Sequence, residues 1–163
     1  MLTRNYYNAQ RAALAKTLIE DGIKDIYGNV SDVGYYSDYV SSPILTSISF
    51  TGYGGIIIGK GTTPATLDDY CLEWLITSGM TASNSRGIDG NGNPYTLITL
   101  TNITDKAITV GEIGVVGYGY YQAGSSSPKH ILLDRTVLES PITIEPGGVG
   151  QITYTIRFNY PTA

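Results

Sequence analysis

Several short stretches hold residues whose types and spacing could do chemistry. Gly59-Lys60-Gly61-Thr62-Thr63 has the glycines, lysine and hydroxyls of a phosphate loop. Such a loop needs G-x-x-x-x-G-K-[ST] ahead of a helix, so that backbone N–H groups cradle the phosphates. Neither that spacing nor a following helix is present, which argues against nucleotide binding. Asp89, Asn91 and Asn93 alternate like the first ligands of a calcium loop. The twelfth position would be Leu100 and not the bidentate Glu that such a loop needs. A turn rich in Asn and Gly between strands explains the same residues. Asp68, Asp69 and Glu73 offer carboxylates, and a glycosidase needs two of them across a cleft. Asp68 is better read as bonding backbone groups where a loop turns.

His130 is the single histidine and Cys71 the single cysteine. A Ser-His-Asp set would have to pair His130 with Asp134, and no G-x-S-x-G nucleophile elbow accompanies them. One His and one Cys cannot build a zinc site without carboxylates. Cys71 reads as a small buried apolar residue. No catalytic, cofactor-binding or metal-ligating set is therefore assigned, no cofactor is expected, and the chain is not read as an enzyme.

The elements that carry these residues are mostly strands. Tyr95–Tyr118 reads as two adjacent β-strands separated by the polar turn Asn-Ile-Thr-Asp-Lys. Ile44–Phe50 alternates, and Ile56-Ile57-Ile58 is short and apolar, as in a strand buried on both faces. Glu73–Thr77 is expected to be a strand around the single tryptophan, Trp74, and residues 79–94 a loop. Further strands are expected over His130–Leu138 and Gly150–Phe158. The second shows Ile152, Tyr154, Ile156 and Phe158 on one face. Glu145-Pro146-Gly147-Gly148 before it is a hairpin-style turn. Residues 3–21 are expected to form the one helix, with Thr3 as N-cap and Gly22 as C-terminal stop. Tyr7, Leu14 and Leu18 fall near one face of it. The helix either packs on the β-domain or docks on a neighbouring subunit.

Seven to nine short strands after one helix predict a mainly β fold, an antiparallel β-sandwich or jelly-roll-like domain. The expected division is a helix and tyrosine-rich arm over residues 1–42 and a β-sandwich domain over 43–163. The length of 163 residues suits burial of a real core. Charged residues are 15% of the chain, against roughly 25% in typical soluble domains. Such a pale surface suits packing against copies or partners. The net charge is −4 and no basic run is present, so no nucleic-acid partner is expected. No apolar run or signal-peptide pattern points to a membrane. A soluble, cytosolically made protein is the expectation.

The segment Gly59-Lys60-Gly61-Thr62-Thr63-Pro64-Ala65-Thr66-Leu67-Asp68-Asp69-Tyr70-Cys71-Leu72-Glu73 resembles a GTGTTPPTxDDYxLE segment of small structural proteins of tailed bacteriophages and prophages. Leu97–Asn102, Ile108–Gly114, Leu132–Leu138 and Ile142–Gly147, leading into Ile152–Phe158, agree in order. The resemblance covers about residues 56–158. It implies a non-enzymatic virion protein, made in the host cytoplasm and placed on capsid, portal or collar, or tail as a homo-oligomer. It supplies no catalytic residues. Asp68 and Asp69 are expected to shape the loop before Trp74. Glu112, if buried, would need Arg135 or Arg157 as partner.

Fourteen tyrosines, against two phenylalanines, suit half-wet contacts. The candidate interaction surface is Tyr6, Tyr7, Tyr35, Tyr36, Tyr39, Tyr118, Tyr120 and Tyr121. A carbohydrate- or host-receptor-binding module using the loops at 35–39 and 118–121 is the alternative reading.

Overall fold

The computed structural model describes residues 1–16, 18–34, 55–119, 129–155 and 157. The chain is mainly β, with one short helix at its start. In order come α1 (Arg4–Ala15), β1 (Ile19–Lys24), β2 (Val30–Val33), β3 (Gly55–Gly59) and β4 (Met80–Ile88). They are followed by β5 (Pro94–Asn102), β6 (Ile108–Gly119), β7 (Lys129–Ile144) and β8 (Val149–Thr155). Among the described residues all strand pairing is antiparallel, in a β1-β2 ribbon, a β3-β6-β7 sheet and a β4-β5-β8 sheet.

The β3-β6-β7 sheet is covered on both faces. Ile56, Ile58, Val110 and Ile113 meet Met80, Ile98, Leu100 and Ile152 of the β4-β5-β8 sheet in one core cluster. This arrangement is compatible with a β-sandwich. On the opposite face, Ile57, Val116 and Leu132 pack with Leu72, and a separate cluster joins Ile131 and Leu133 of β7 to Ala12, Ile23 and Val33. Burial from both sides explains why the run Ile56-Ile57-Ile58 is apolar throughout instead of alternating. β5 has a second layer on one side only, and it alternates buried and half-buried residues from Thr96 to Asn102.

Two edges of the β3-β6-β7 sheet are sheltered by other chain. Along β3, Ile76 donates its N–H to the Ile58 carbonyl (2.9 Å) and Lys60 to that of Trp74 (2.8 Å). Along β7, the Thr3 N–H reaches the Leu133 carbonyl (3.0 Å) and the Arg135 N–H reaches that of Met1 (3.1 Å).

Several expectations are corrected. The helix stops at Ala15 because Lys16 is left-handed (φ 49°), and residues 19–24 instead pair with β2. Tertiary pairing overrides helix propensity there. Gly22 is no helix stop: it sits in β1, where an added methyl would lie 2.5 Å from Val33 Cγ1. Thr3 occupies the N-cap position but makes no capping bond; its hydroxyl donates to the Leu132 carbonyl (2.5 Å).

The expected apolar stripe faces solvent, with Tyr7, Leu14 and Leu18 exposed. The packed face is Asn5, Tyr6, Ala9 and Ala12, whose small alanines let the helix approach closely. Asn5 acts as a rung on β1. Its Nδ2 donates to the Lys24 carbonyl (2.7 Å) and its Oδ1 accepts the Lys24 N–H (2.8 Å). The helix therefore seats on its own chain.

Residues 80–88 are a strand, not a loop, and residues 73–77 are not a strand beyond one bridge between Leu75 and Gly59. β5 and β6 are successive but lie in different sheets, so the turn between them changes sheet. Glu145–Gly148 likewise carries the chain from one sheet to the other and closes no hairpin. The expected strand Ile44–Phe50 and the 42/43 boundary lie outside the described residues, as do Ile156 and Phe158.

Candidate functional site

The densest polar arrangement among the described residues lies beneath the 60–77 loop, on the outer face of the β3-β6-β7 sheet. Glu112 of β6 faces Gly59 of β3 on one side and Val137 of β7 on the other. It is fully buried. Its Oε1 accepts the backbone N–H groups of Gly61 (3.0 Å) and Trp74 (2.9 Å). Its Oε2 accepts the Glu73 N–H (3.2 Å) and Arg135 Nε (2.8 Å). Arg135 lies on β7 with only 4% exposure. Its Nη1 bonds Asp69 Oδ2 (2.8 Å) and its Nη2 the Thr63 carbonyl (3.2 Å), with Glu73 Oε2 at 3.6 Å.

The surrounding carboxylates continue the pattern. Asp69 also accepts the Thr66 N–H and hydroxyl, both at 2.8 Å. Glu73 Oε2 accepts the N–H groups of Thr62 and Thr63, both at 3.1 Å. Burial pushes the Asp69 carboxyl up, but Arg135 and the Thr66 bonds outweigh it and hold the group below the usual range. Glu73 is held low chiefly by the Thr63 backbone bond. Burial opposes the charge on Arg135, yet its bonds to Asp69 and Glu112 raise its pKa. Burial, then the Glu112 charge, raises the Cys71 thiol, which keeps it protonated and a poor nucleophile.

The glycines of the supposed phosphate loop have a different purpose. A methyl on Gly61 would sit 2.5 Å from Glu112 Oε1 and 2.6 Å from Glu73 Cβ. A methyl on Gly111 would sit 2.6 Å from the Gly61 carbonyl. Their absence of side chains lets loop backbone reach a carboxylate, and the N–H groups that might cradle a phosphate are already taken, that of Gly61 by Glu112 and those of Thr62 and Thr63 by Glu73. The same bonds draw the Glu73 and Trp74 N–H groups onto Glu112, which is why Glu73–Thr77 forms no ladder.

A cavity of about 370 Å³ beside the cluster is lined by Thr63, Asp68, Asp69, Tyr70, Cys71, Leu72, Glu73 and Arg135. Its charged groups point at one another and at backbone. Chemically, the arrangement braces a loop: both oxygens of Glu112 and all three nitrogens of the Arg135 guanidinium are engaged.

Of the two partners the sequence offered Glu112, the structure uses Arg135. Asp69 shapes the loop before Trp74 as expected. Asp68 does not bond backbone; its carboxylate meets Arg4 Nε at 2.5 Å in solvent. Asp89 holds the β4–β5 turn, its Oδ1 accepting the N–H groups of Asn91 (2.8 Å) and Asn93 (2.9 Å). Its pKa is lowered, first by the Asn93 backbone bond. His130 opens β7 near its start, buried, with Tyr27 edge-on at 6.2 Å. The carboxylate that acts on it is that of Asp25 and not Asp134.

Tyr6 is half-buried against α1's own layer, and Tyr7, exposed, meets it edge-on at 5.6 Å. Tyr118 lies in β6 opposite His130. Tyr35, Tyr36, Tyr39, Tyr120 and Tyr121 lie outside the described residues, as does the side chain of Tyr118.

Sequence reasoning missed Asn102, a fully buried side chain that staples the β5–β6 turn. Its Nδ2 donates to the carbonyls of Lys106 (2.7 Å) and Ile144 (2.9 Å), and its Oδ1 accepts the Thr104 N–H (2.9 Å). The signal was there in an Asn that ends a strand two residues before a Thr. No protein-family model matches the chain, and no curated protein or solved structure matches it.

Proposed function

We propose that this chain is a non-enzymatic structural protein of a tailed-bacteriophage or prophage particle. It is a β-sandwich that assembles on capsid, collar or tail through repeated protein–protein contacts. One observation carries the reading. The segments Gly59–Glu73, Ile108–Gly114 and Leu132–Leu138, which resemble phage structural proteins, converge in space on a single cluster. Gly61, Thr63, Asp69 and Glu73 come from the first, Glu112 from the second and Arg135 from the third. There these residues fix backbone and leave no carboxylate of the trio poised toward a substrate. The shared motif thus has a structural reason to exist.

A further feature favours assembly. Leu67 and Trp74 are exposed on the braced loop, Trp74 at 66%. An aromatic side chain on a rigid backbone is a good anchor for a partner, since little entropy is lost on docking. Many copies on a particle make a weak single contact sufficient. No helix among the described residues is long and apolar enough to cross a membrane.

The test is location. Particles purified from the producing host are probed with gold-labelled antibody against the recombinant protein. Label at a constant position on the particle supports the proposal. Unlabelled particles, together with specific binding of the protein on a glycan array, would replace it with the receptor-binding reading.

A further inference from the structure

The asparagines of this chain sit in very different chemical settings. Asparagine is thermolabile where the backbone nitrogen of the next residue can reach its side-chain carbonyl carbon. A bulky or β-branched residue follows Asn5, Asn29, Asn102 and Asn159 and hinders that approach. Asn93 is followed by Pro94, which has no N–H to lose. Asn8 and Asn84 lie within α1 and the β4–β5 ladder, and Asn8 Nδ2 bonds the Gly22 carbonyl (2.6 Å). Asn91 differs on each count. Glycine follows it, both residues are exposed, and among the described residues no group bonds its carboxamide.

The turn joining β4 to β5 demands this glycine. Gly92 has φ +82°, a conformation that a side chain would strain. A methyl added to Gly90 or Gly92 would meet nothing within 4 Å, so the tip is held by hydrogen bonds and not by packing. The Gly92 N–H donates to the Asp89 carbonyl (3.0 Å) and the Asp89 N–H to that of Asn93 (2.9 Å). Asp89 Oδ1 accepts the N–H groups of Asn91 (2.8 Å) and Asn93 (2.9 Å). While the turn is closed, the Gly92 nitrogen is therefore committed to Asp89. The neighbouring Asp89-Gly90 bond is a weaker candidate, because those bonds keep the Asp89 carboxyl ionised and a charged carboxylate is a poor electrophile.

We propose that Asn91 is a site of spontaneous deamidation, reached through transient opening of the β4–β5 turn, and that Asp89 sets the rate by holding the turn closed. In the open turn the Gly92 nitrogen, its proton lost to solvent base, attacks Asn91 Cγ. The new N–Cγ bond closes a succinimide ring, the Cγ–Nδ2 bond breaks, and ammonia leaves. Water then opens the ring at either carbonyl and leaves an aspartyl or an isoaspartyl residue at position 91. The net change is amide plus water to acid plus ammonia, and nothing is oxidised or reduced. The isoaspartyl form runs its backbone through Cβ and Cγ. That extra carbon disrupts the spacing by which Gly92 and Asn93 both reach Asp89, and the added carboxylate repels that of Asp89. The closed tip is then lost. This chemistry belongs to the turn itself and does not depend on a place in a particle.

The full chain is incubated in mildly alkaline buffer and sampled over time by peptide mapping in a mass spectrometer, with an isoaspartyl methyltransferase to label the rearranged product. Position 91 is expected to convert before any other asparagine, to both products and with release of ammonia. Asn91→Gln, whose side chain would have to close a larger ring, is expected to leave the tip unmodified. Opening the turn breaks charge-assisted bonds to Asp89, so Asp89→Ala is expected to speed conversion roughly tenfold or more, with a circular-dichroism spectrum like that of the parent. The parent unfolded in urea, which needs no variant, is expected to convert faster than the native chain. An Asn91 that stays intact, or that converts after another asparagine, overturns the proposal. So does a native rate equal to that of the unfolded chain, or a parental rate in a folded Asp89→Ala.

Discussion

Arg135→Met should destabilise the fold more than almost any other single change. The substitution keeps the length and apolar stem of the side chain but removes the guanidinium. Glu112, fully buried, then loses its 2.8 Å charge partner and keeps only backbone N–H donors. Asp69 loses its Nη1 bond and the Thr63 carbonyl its Nη2 bond. Removing one partner of a buried pair typically costs about 3–5 kcal/mol, because the remaining charge is stranded in low dielectric. For a chain of this size each kcal/mol lowers Tm by about 2–4 °C, so a fall of about 6–20 °C is expected. Glu112→Ala should be comparably damaging, since it orphans the N–H groups of Gly61, Glu73 and Trp74 together. The assay is a thermal melt followed by circular dichroism, backed by a urea titration. A Glu112→Gln and Arg135→Met double-mutant cycle should show a coupling of about 1–3 kcal/mol. A Tm for Arg135→Met within about 2 °C of the parent, or strictly additive single effects, would refute the brace.

Other expectations follow from the same geometry. Gly61→Ala, whose methyl would press on Glu112 Oε1 and Glu73 Cβ, should cost about 1–3 kcal/mol, read as a lower urea midpoint. Parental stability would contradict the close approach. Asn102→Ala should lower Tm by several degrees because the buried Ile144 carbonyl and the Thr104 N–H lose their partner and the Lys106 carbonyl loses one of two donors. A melt that superimposes on the parent's would show the staple to be dispensable. Stability should also fall with acid. Asp69 and Glu73 have folded pKa values below their ordinary ones, so the unfolded chain takes up protons first. Their contribution is full above about pH 4.5 and is lost as the pH drops through the lower folded values. His130, which burial pushes below its usual 6.5, acts with the same sign at higher pH: its neutral form is favoured in the fold, and stability declines as pH falls below that value. Tm should therefore decrease steadily from pH 7 to pH 3, and a flat profile would contradict both assignments.

How much of this was legible in the sequence depends on what each residue pattern encodes. Ile56-Ile57-Ile58 announced a strand buried on both faces, because only a layer between two others removes all three side chains from water. Glu112, set among glycines and valines, would need Arg135 or Arg157 if buried; it is buried, and Arg135 is the partner. Patterns of period two reveal a strand and its inward face, but not its neighbour. Nothing in the alternation of β5 and β6 could show that they join different sheets. β4 was invisible for a related reason. As an edge strand of small polar residues it sends little beyond Met80 and Ala82 into the core, so it carries no apolar rhythm. α1 was read with its faces exchanged. Leu14 looked like core, but α1 lies so close to β1 and β7 that alanines and an asparagine rung fit there and leucine does not. The rest of the brace was hidden because backbone N–H groups have no sequence signature. Gly61 was the visible trace, in a run, Gly59–Thr63, that has the residue types of a phosphate loop without its spacing.

The most direct measurement is the copy number of this protein in purified particles, by quantitative mass spectrometry against labelled peptides from the major capsid protein. A structural role in the particle predicts a fixed ratio that repeats between preparations and survives high-salt washing. Absence from the particles, or a trace amount that varies and washes away while the host lysate is rich in the protein, would contradict it.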